Sequence, residues 1–378
     1  MDIFLDMARD PATSVGRLNP AAPAAEETSD GALMADHVGV LSNVLGQRVE
    51  SIARIGGGRN SRVYRVRCGT GDHAAKFYFG RTADGRDRSQ IEYSAFDFLW
   101  RRGVRCIPQP LKCDPARQVA VYEFIEGEPV EASAVAAGDI DQLAALVRQL
   151  REIAADPASQ TLGPAAEAFF SVNDVIGNIA DRYHRMASLE VRSPSHDAMR
   201  QFLAADYEPA FSRLAEWARR HVEHNDSPLP NERRTLSPSD MGFHNSLRRH
   251  NGKLVFLDFE YFGWDDPAKT LSDTLLHPRM RLPAGLQAYL AKRFSSIFDC
   301  DPSWRRRVEI VYPLFGLKWC MILLNEFRPE QLKRRHFVDQ APEEVHELQM
   351  RQLETAQQLL GRITHEHPRF PFWGRNDQ

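Results

Sequence analysis

The chain has 378 residues, of which 43% are hydrophobic and 26% are charged, as in an ordinary globular protein. This length is enough for two domains or for one large bilobal domain. The formal net charge of −3 lacks the strong basic excess of proteins built mainly to bind nucleic acid, so we predict no nucleic-acid partner.

The cysteines and the apolar segments indicate the compartment. Five scattered cysteines form neither a CxxC pair nor a Cys/His cluster, so we predict neither a zinc site nor a disulfide framework. The N-terminal MDIFLDMARD carries acids where a signal peptide carries positive charge. The stretch VYPLFGLKWCMILLNEF contains Pro313 and Lys318 and is predicted to be too short to span a bilayer. A cytoplasmic protein without a membrane partner is expected, and no feature predicts its oligomeric state.

The first 127 residues are predicted to form a leader and a β-rich domain. Residues 1–37 include a run of Pro, Ala, Gly and small polar residues with too few apolar side chains to fold, so a flexible leader is expected. Residues 38–127 begin with HVGVLSNVLG, which predicts a short amphipathic helix. VESIARI, SRVYRVRC and HAAKFYF then predict an antiparallel meander of three strands.

A helix and two further strands are predicted to complete this domain. The segment RSQIEYSAFDFLWRRG has helical spacing, with apolar residues on or near one side and Gly103 at its end. These apolar residues are Ile91, Phe96, Leu99 and Trp100. The segment PQPLKCDPARQVAVYEFIEG predicts two strands around an Asp-Pro turn.

The rest of the chain, residues 128–378, is predicted to be mostly helical. Long helical patterns run through DIDQLAALVRQLREIAADP, AAEAFFSVNDVIGNIADRYHRM and SHDAMRQFLAADYEPAFSRLAEWARRHVEH, and three more occupy the final third. A small β-rich lobe therefore precedes a larger helical lobe, and a cleft between two lobes is the expected place for a functional site.

The segment IGGGRNSRVYRVR, residues 55–67, is a glycine-rich turn between two strand patterns. It is not GxxxxGK[ST], and no helix pattern follows it, so neither a P-loop nor a dinucleotide-binding fingerprint fits. A hairpin turn is the commoner explanation of such a segment. The alternative is a loop whose glycines let the backbone approach a phosphate chain.

Lys76 lies in the middle of the apolar strand HAAKFYF. A lysine in such a strand commonly reaches along the surface to water, but its charge also suits a grip on phosphate oxygens. Glu92 on the following helix is the candidate partner that would hold Lys76 extended. Taken alone, Glu92 fits a solvated helix face better.

Two later segments contain the candidate catalytic residues. Asp240 and Asn245 lie in the loop LSPSDMGFHNSL, and Asp258 follows the strand pattern KLVFL. Carboxylate and carboxamide oxygens suit Mg²⁺, and Asp240 could then accept a proton from an attacking hydroxyl. An Asx-rich turn would also explain Asp240 and Asn245, but it does not explain an acid at the end of the buried run.

The remaining polar residues of this region are predicted to be structural. No second His or Cys stands at ligand spacing from His244, so a loop histidine is the preferred interpretation. Glu260 adds acid near the same place. Asp265 and Asp266 precede Pro267 and are predicted to cap the helix AKTLSDTLL.

In their order, these motifs resemble those of the aminoglycoside phosphotransferase/choline kinase-like family of small-molecule kinases. The shared order is a glycine-rich hairpin, a strand lysine, a helix glutamate, an apolar connector, an Asp–Asn loop and an Asp at a strand end. The resemblance covers roughly residues 48–330. It implies an α+β, bilobal protein-kinase-like fold with a small antiparallel β N-lobe and a larger, mostly helical C-lobe.

The resemblance also implies how a nucleotide would be held. Lys76, positioned by Glu92, would hold the phosphates together with the glycine-rich loop. The connector VYEFIEG would hydrogen-bond adenine through the backbone from Glu123 to Ile125. The loop residues assigned to the nucleotide are Gly56, Gly57, Gly58, Asn60 and Ser61.

The family's catalytic loop, usually His-Gly-Asp-x-x-x-x-Asn, corresponds to SPSDMGFHN, and LDFEYFGWDDPAKTLSD is similar to the family's IDWE…GDPxxDLA. Asp240 takes the position of the base, and Asn245 and Asp258 take those of metal ligands. Ser237 stands where the family usually has histidine, and Ser239 where it usually has glycine. These departures indicate a variant subfamily.

The resemblance implies ATP- and Mg²⁺-dependent transfer of the γ-phosphoryl group to a hydroxyl of a small molecule, such as a sugar, an amino alcohol or an anionic metabolite. The acceptor is expected beside the helical insert 139–235, where Phe169, Phe170 and Tyr183 could stack on a sugar face. Eleven arginines interleave with fifteen acids in this insert, so we do not expect the strongly acidic pocket that would attract a polycationic aminoglycoside. The alternative is a pseudokinase-type nucleotide- or protein-binding scaffold without transfer activity. A protein kinase is disfavoured because Asp258 is not followed by an activation segment that ends in Ala-Pro-Glu; the Ala-Pro-Glu triplet of this chain, residues 341–343, lies more than 80 residues further on.

Overall fold

The computed structural model describes five stretches of the chain. They are residues 36–57, 60–79, 85–222, 226–334 and 342–373. The predicted leader, residues 1–37, lies almost entirely outside them, and its flexibility stays a prediction, as do the domain boundaries. The chain divides into two compact units. The first contains the described residues up to Glu128 together with Leu247–Glu260, and the second contains Pro129–Ser246 and the described residues from Tyr261 onward.

The first unit contains a five-stranded antiparallel sheet in the order β1–β2–β3–β5–β4. The predicted three-strand meander and the two later strands are confirmed. The helices of this unit are α1 (36–45) and α2 (Arg88–Arg101). Its strands are β1 (Val49–Gly57), β2 (Ser61–Cys68), β3 (Gly71–Tyr78), β4 (Pro110–Asp114), β5 (Val119–Glu123) and β9 (Leu254–Phe256). Two short strands each contain residues assigned to both units: β6 (Glu128–Pro129) and β8 (Ser246–Arg248).

The core of the first unit forms where α1 packs on the sheet. Alternate residues of β2, among them Tyr64 and Val66, are buried against Ala75 of β3, as strand periodicity requires. Val38 and Val44 of α1 pack against this cluster, which confirms the predicted short helix. Burial of these apolar side chains supplies most of the stability that holds the sheet together.

Helix α2 buries a different face from the one predicted. Asp87 caps its N-terminus by accepting a hydrogen bond from the Gln90 N–H, and Gly103, with φ of +86°, follows its end as predicted. Phe96 and Leu99 are buried, but the predicted Ile91 and Trp100 are only partly buried. The buried face also includes an acid, Glu92, so a hydrophobic pattern alone could not identify it.

The second unit is mostly helical, as predicted. Strands β7 and β10 pair antiparallel within this unit. The candidate catalytic loop follows β7, and the helix Pro267–Leu276 follows β10. The strands are β7 (Thr235–Ser237) and β10 (Gly263–Asp265). The helices are α3 (Ala137–Ala154), α4 (Val172–Ala187), α5 (Pro194–Phe202), α6 (Glu208–His221), α7 (Pro267–Leu276), α8 (Ala284–Phe298), α9 (Trp304–Leu323), α10 (Pro329–Arg334) and α11 (Pro342–Glu366).

The start of α4 was predicted too early. The predicted helix began at Ala165, whereas the observed helix begins after Ser171, whose side chain accepts a hydrogen bond from the Asp174 N–H. The preceding residues are irregular because their backbone bonds elsewhere, for example from the Ala165 N–H to the Trp264 carbonyl. This irregular segment brings Glu167 close to the catalytic loop, as described below.

The predicted single helix from Ser195 to His224 is interrupted by a wider turn. A π-helical turn, Leu203–Tyr207, joins α5 to α6 just before Pro209. Proline lacks an N–H, and its ring clashes with the carbonyl four residues earlier in a regular helix. A wider turn at this point accommodates the proline, as π-turns do in other helices.

Helix α9 confirms the helical pattern of the final third, but the apolar helical segment to which it belongs is longer than the stretch considered as a membrane span. With the short turn that follows it, it spans Trp304–Phe327, which is long and apolar enough to cross a membrane by length and composition alone. This corrects the expectation that the segment is too short. However, 94% of its most apolar window is buried inside the protein, which is the pattern of a core helix. Gly316 lies against Ile363 of α11, where an added Cβ would come within 2.6 Å of a side-chain carbon.

Candidate active site

Lys76 is a buried cation shared by two carboxylates of the first unit. It lies on β3 opposite Ala120 of β5, and its relative exposure is only 8%, which excludes a side chain that extends along the surface to water. Its Nζ donates to Glu92 Oε2 at 2.7 Å and to Asp258 Oδ1 at 2.6 Å. Burial alone would lower the pKa of Lys76, but the surrounding carboxylates outweigh it and raise this pKa.

Glu92 is buried and hydrogen-bonded, so it does not lie on a solvated helix face. Besides Lys76, the hydroxyl of Tyr78 donates to its Oε2 at 2.7 Å, and Tyr122 contacts Tyr78 at 2.9 Å between hydroxyl oxygens. Burial raises the pKa of Glu92, Lys76 opposes this effect, and neighbouring carboxylates add to it. The tyrosines were not singled out from the sequence, because aromatic residues in buried strands carry no distinguishing signal.

Asp258 lies directly after β9 in an unusual backbone conformation. Its φ is +66°, in the left-handed region that non-glycine residues rarely adopt. Such strain at a functional position persists only when surrounding contacts fix it, and here the bond to Lys76 is one of them. The side chain is 39% exposed, so the carboxylate remains accessible to a ligand.

A third carboxylate, Glu260, joins this group. Its Oε2 lies 3.5 Å from Lys76 Nζ, and its Oε1 accepts a hydrogen bond from Asn60 Nδ2 at 2.9 Å. The Nε of Arg88 lies 3.6 Å from Glu260 Oε1. The sequence analysis noted Glu260 only as additional acid, because its link to Asn60 crosses 200 residues of chain.

The other nucleotide residues assigned from the sequence lie mainly around the first hairpin. Gly57 pairs with Arg62 across β1 and β2, and Ser61 begins β2, whereas Gly58 lies outside the described residues. At the connector, the Glu123 N–H donates to the Gln109 carbonyl, so any adenine contact at Glu123 must use another of its atoms. Ile125, two residues further on, is buried.

In the second unit, Asp240 and Asn245 contact each other within the loop after β7. Asn245 Nδ2 donates to the Asp240 carbonyl oxygen at 3.1 Å and to its Oδ2 at 3.2 Å. A short 3₁₀ turn, Phe243–Asn245, brings the two side chains together. The carboxamide nitrogen makes these contacts, and the carboxamide oxygen is the atom able to bind a metal ion.

The spacing of the family's His-Gly-Asp places Pro238, two residues before Asp240, at the histidine position that was assigned to Ser237. Ser237 and Ser239 both support this loop. Ser239 has a φ of +69°, which explains why glycine suits the position. Its N–H donates to Ser237 Oγ at 3.0 Å, and its hydroxyl donates to the Ala166 carbonyl at 2.9 Å. Lys269 Nζ donates to the same hydroxyl at 3.2 Å. These bonds offset the strain that glycine would avoid.

The two acids before α7 have separate roles. Asp266 caps the helix by accepting from the Ala268 N–H at 2.8 Å, as predicted. Asp265 does not cap the helix; its Oδ2 accepts from Lys269 Nζ at 2.7 Å in a fully buried ion pair. Burial raises the pKa of Asp265 to about 6, with Lys269 opposing the shift. A lysine four residues later was the sequence signal for this pair.

A histidine that the sequence analysis missed, His277, lies beside the predicted loop histidine. His244 Nε2 is 3.0 Å from Asp240 Oδ1, and His277 Nε2 is 3.7 Å from the same oxygen. The two imidazole rings stack with centroids 3.9 Å apart and planes 6° from parallel. Burial lowers the pKa of His277 well below its usual value, so its ring is neutral. Nothing in the sequence joins residues 244 and 277.

The donor sets decide which residues fit a metal ion. Asn245 and Asp258 offer the hard oxygen ligands that Mg²⁺ prefers. The carboxylate and imidazole groups of Asp240, His244 and His277 also lie within 4.8 Å of one another. However, ring lone pairs lie in the ring planes, and two parallel stacked rings cannot direct them at one ion. The histidine pair therefore does not fit a transition metal, and the assignment of Asn245 and Asp258 as magnesium ligands stays a prediction.

A buried ion cluster lies behind the catalytic loop. Glu167 pairs with Arg182 and with Lys318, the latter at 2.7 Å, and both cations and the acid are almost fully buried. Burial alone would raise the pKa of Glu167, but Lys318 and Arg182 outweigh it, and the pKa falls to about 2. Since Ala166 accepts from Ser239, this cluster adjoins the loop.

We expect Glu167→Gln to lower the free energy of unfolding at pH 7 by about 3–5 kcal/mol, because it leaves two buried cations without their anion. A depressed pKa stabilises the fold above the unfolded value near 4.5, and this stability is lost as the pH falls toward about 2. The difference between wild type and variant should therefore shrink between pH 5 and 2 in urea unfolding. The exposed pair of Glu216 and Arg220 provides the control, Glu216→Gln, which should change little. An unchanged free energy in Glu167→Gln at pH 7 would contradict this role.

The aromatic residues suggested for an acceptor occupy different surroundings. Phe169 and Phe170 line a cavity of about 290 Å³. Lys318 Nζ lies 5.2 Å from the ring of Phe169, and the Arg234 guanidinium lies 3.8 Å from that of Phe170. Tyr183 does not line this cavity; it stacks on a neighbouring tyrosine at 5.9 Å. The sugar-stacking role stays a prediction for Phe169 and Phe170.

Comparison with known proteins shows the family to which the chain belongs. The phosphotransferase enzyme family (APH) matches residues 51–307, more than half of the chain. The chain therefore belongs to this family, and it has the family's protein-kinase-like fold, with an antiparallel N-terminal sheet and a helical C-terminal region. No curated protein sequence matches the chain.

Several solved structures share the fold at low identity. A spectinomycin phosphotransferase, APH(9)-Ia, crystallised with ADP and spectinomycin, superposes with a TM-score of 0.59 at 15% identity over 86% of this chain and 98% of its own. A choline/ethanolamine kinase family protein from Mesorhizobium loti superposes with a TM-score of 0.52 at 20% identity, over 90% of this chain and 99% of its own. Choline kinase LicA from Streptococcus pneumoniae superposes with a TM-score of 0.54 at 15% identity, over 88% of this chain and 99% of its own.

Proposed function

We propose that this protein transfers the γ-phosphoryl group of ATP, with Mg²⁺, to a hydroxyl of a small molecule. The observation that carries this proposal is the presence of two hydrogen-bonded clusters made of the family's motif residues. Lys76 joins Glu92 and Asp258 in one cluster, and Asp240 joins Asn245 in the other. A protein that only bound nucleotide would need the first cluster but not the second.

In the first unit, Lys76 would hold phosphate oxygens as a point charge. Glu92 orients its ammonium group from within the core, and Tyr78 fixes Glu92 in turn. The glycine-rich loop and the backbone between Glu123 and Ile125 would bind the rest of the nucleotide. Relatives crystallised with ADP or AMP support nucleotide binding by this fold.

In the second unit, Asp240 would orient the acceptor hydroxyl and take its proton as the oxygen attacks phosphorus. Asn245 and Asp258 would each supply an oxygen ligand to Mg²⁺. When bound, this ion supplies neutralisation of the charge that develops on the phosphoryl oxygens. Phosphoryl transfer needs positioning and charge stabilisation more than covalent chemistry, and these residue types supply both.

The acceptor is proposed to be a sugar, an amino alcohol or an anionic metabolite. Structural relatives act on spectinomycin and choline, so both belong in a test panel. Arg182 of the helical insert pairs with Glu167, and the eleven arginines of the insert offset most of its fifteen acids, which disfavours a polycation. Phosphorylation of aminoglycosides alone would show that this charge argument is wrong.

The proposal is tested by measuring ADP released from Mg²⁺-ATP over a panel of hydroxyl-bearing sugars, amino alcohols and anionic metabolites. We expect release to rise several-fold with one class of acceptor and to stop when EDTA removes the metal ion. Thermal-shift titration with ATP, with and without Mg²⁺, gives binding separately. ATP binding that needs no metal, with no ADP released for any acceptor, would favour a pseudokinase-type scaffold.

A further inference from the structure

The most unusual feature beside the candidate base is the stacked pair of histidines, His244 and His277. Their rings are 3.9 Å apart and almost parallel, and Nε2 of each faces Oδ1 of Asp240. From the sequence, His244 was predicted to be a structural loop histidine, and the family resemblance assigned no role to either residue. Both lie in the second unit, so their geometry is independent of the first.

The hydrogen bonds fix which nitrogen of His277 carries its proton. The Arg279 N–H donates to His277 Nδ1 at 3.2 Å, so Nδ1 is an acceptor and the neutral ring carries its proton on Nε2. This N–H faces Asp240 Oδ1 at 3.7 Å. The ring edge of Trp319 packs against His277 at 4.8 Å, and the Trp319 indole N–H donates to Asp273 at 3.1 Å.

His244 must also present a donor to Asp240. An ionised carboxylate accepts only, so the 3.0 Å contact requires a proton on His244 Nε2. Its Nδ1 is buried and has no hydrogen-bond partner among the described residues. The ring fits because Gly242 has no side chain: a Cβ there would lie 2.5 Å from His244 Nδ1 and 2.8 Å from the sulfur of Met280.

We propose that His244 and His277 are positioning residues: His244 holds Asp240 through Oδ1, His277 fixes the ring of His244 by stacking on it, and Oδ2 is left for the acceptor hydroxyl. This inference rests on the proposed role of Asp240. Among the described residues, Oδ2 receives one hydrogen bond, the longer 3.2 Å bond from Asn245, so it keeps a lone pair for the hydroxyl proton.

The first test measures the histidine nitrogens directly and needs no turnover. In ¹⁵N-labelled full-length protein, both rings should carry a proton on Nε2, with the signals assigned by their loss in His244→Phe and His277→Phe. Asp240→Asn should shift the His244 Nε2 signal, because the carboxylate acceptor is removed. A proton on His277 Nδ1, or a His244 signal that ignores Asp240→Asn, would overturn the proposal even if transfer activity is never found.

The second test uses ADP release from Mg²⁺-ATP with water as the acceptor. His244→Phe keeps the stacked ring and removes the donor, so kcat should fall by about 10–100-fold while KM for ATP changes less than twofold. His244→Gln restores an N–H donor and should recover a large part of kcat. Because the two histidines act as a unit, adding His277→Phe to His244→Phe should lower kcat little further.

The matched control is His346→Phe, on an exposed position of α11, which should leave kcat unchanged. Wild-type kcat in His244→Phe would overturn the proposal. A rise in KM for ATP as large as the fall in kcat would also overturn the proposal, because it would indicate a general structural role. If wild type releases no ADP with water or with any acceptor of the panel, the proposed function fails, and the nitrogen measurement still decides the inference.

Discussion

Asp240→Asn should lower phosphoryl transfer by about 10²–10⁴-fold while leaving ATP binding almost unchanged. The carboxylate accepts hydrogen bonds at both oxygens, from His244 at Oδ1 and from Asn245 at Oδ2. A carboxamide can accept at only one of these positions and places a donor against a donor at the other. It also cannot take the proton of an acceptor hydroxyl.

The measurement is steady-state ADP release with the best acceptor, together with ATP affinity from thermal-shift titration. Asp299→Asn, an exposed residue at the end of α8, is the control and should behave as wild type. Transfer by Asp240→Asn at the wild-type rate would show that Asp240 is not the base. Loss of ATP affinity together with rate would indicate a collapsed loop instead of a missing base.

Lys76→Met should abolish tight nucleotide binding and destabilise the first unit. The substitution leaves Glu92, Asp258 and Glu260 without their shared cation, and breaking a buried pair typically costs about 3–5 kcal/mol. Without Lys76, which lowers it, the raised pKa of Glu92 rises further in the folded protein. Groups with a raised pKa stabilise the fold below their unfolded value near 4–5 and lose that contribution as the pH rises.

The destabilisation by Lys76→Met should therefore be larger at pH 8 than at pH 5. Chemical unfolding at both pH values measures it, and a second substitution, Glu92→Gln, should recover part of the loss at pH 8. Lys112→Met, at an exposed position of β4 in the same sheet, is the matched control. Equal destabilisation at both pH values would contradict the charge argument, and retained ATP affinity would contradict the phosphate role.

The predictable part of the site depends on order along the chain. Lys76, Glu92 and Asp258 are each ambiguous alone, yet their sequence of strand, helix and strand end matched one family. The structure brings the three side chains into direct contact. Local rules also identified the cap of α7 by Asp266 and the end of α2 before Gly103. These features depend on residues a few positions apart, which sequence patterns record.

The parts that could not be predicted depend on contacts between distant residues. Asn60 bonds Glu260 across 200 positions, and His277 stacks on His244 from a separate element. Glu92 was expected on a solvated face because a helix pattern does not show which side covers a sheet. The early start predicted for α4 overlooked the cap at Ser171, since an apolar run preceded it.

The central claim is tested most directly by following the γ-phosphoryl group itself. Wild type and Asp240→Asn would be incubated with γ-labelled ATP, Mg²⁺ and the panel of hydroxyl-bearing acceptors, and the products separated. The account predicts a labelled phosphate ester of one small molecule, formed by wild type and reduced at least 100-fold in the variant. ATP bound by wild type with its label never transferred to any hydroxyl compound would contradict it.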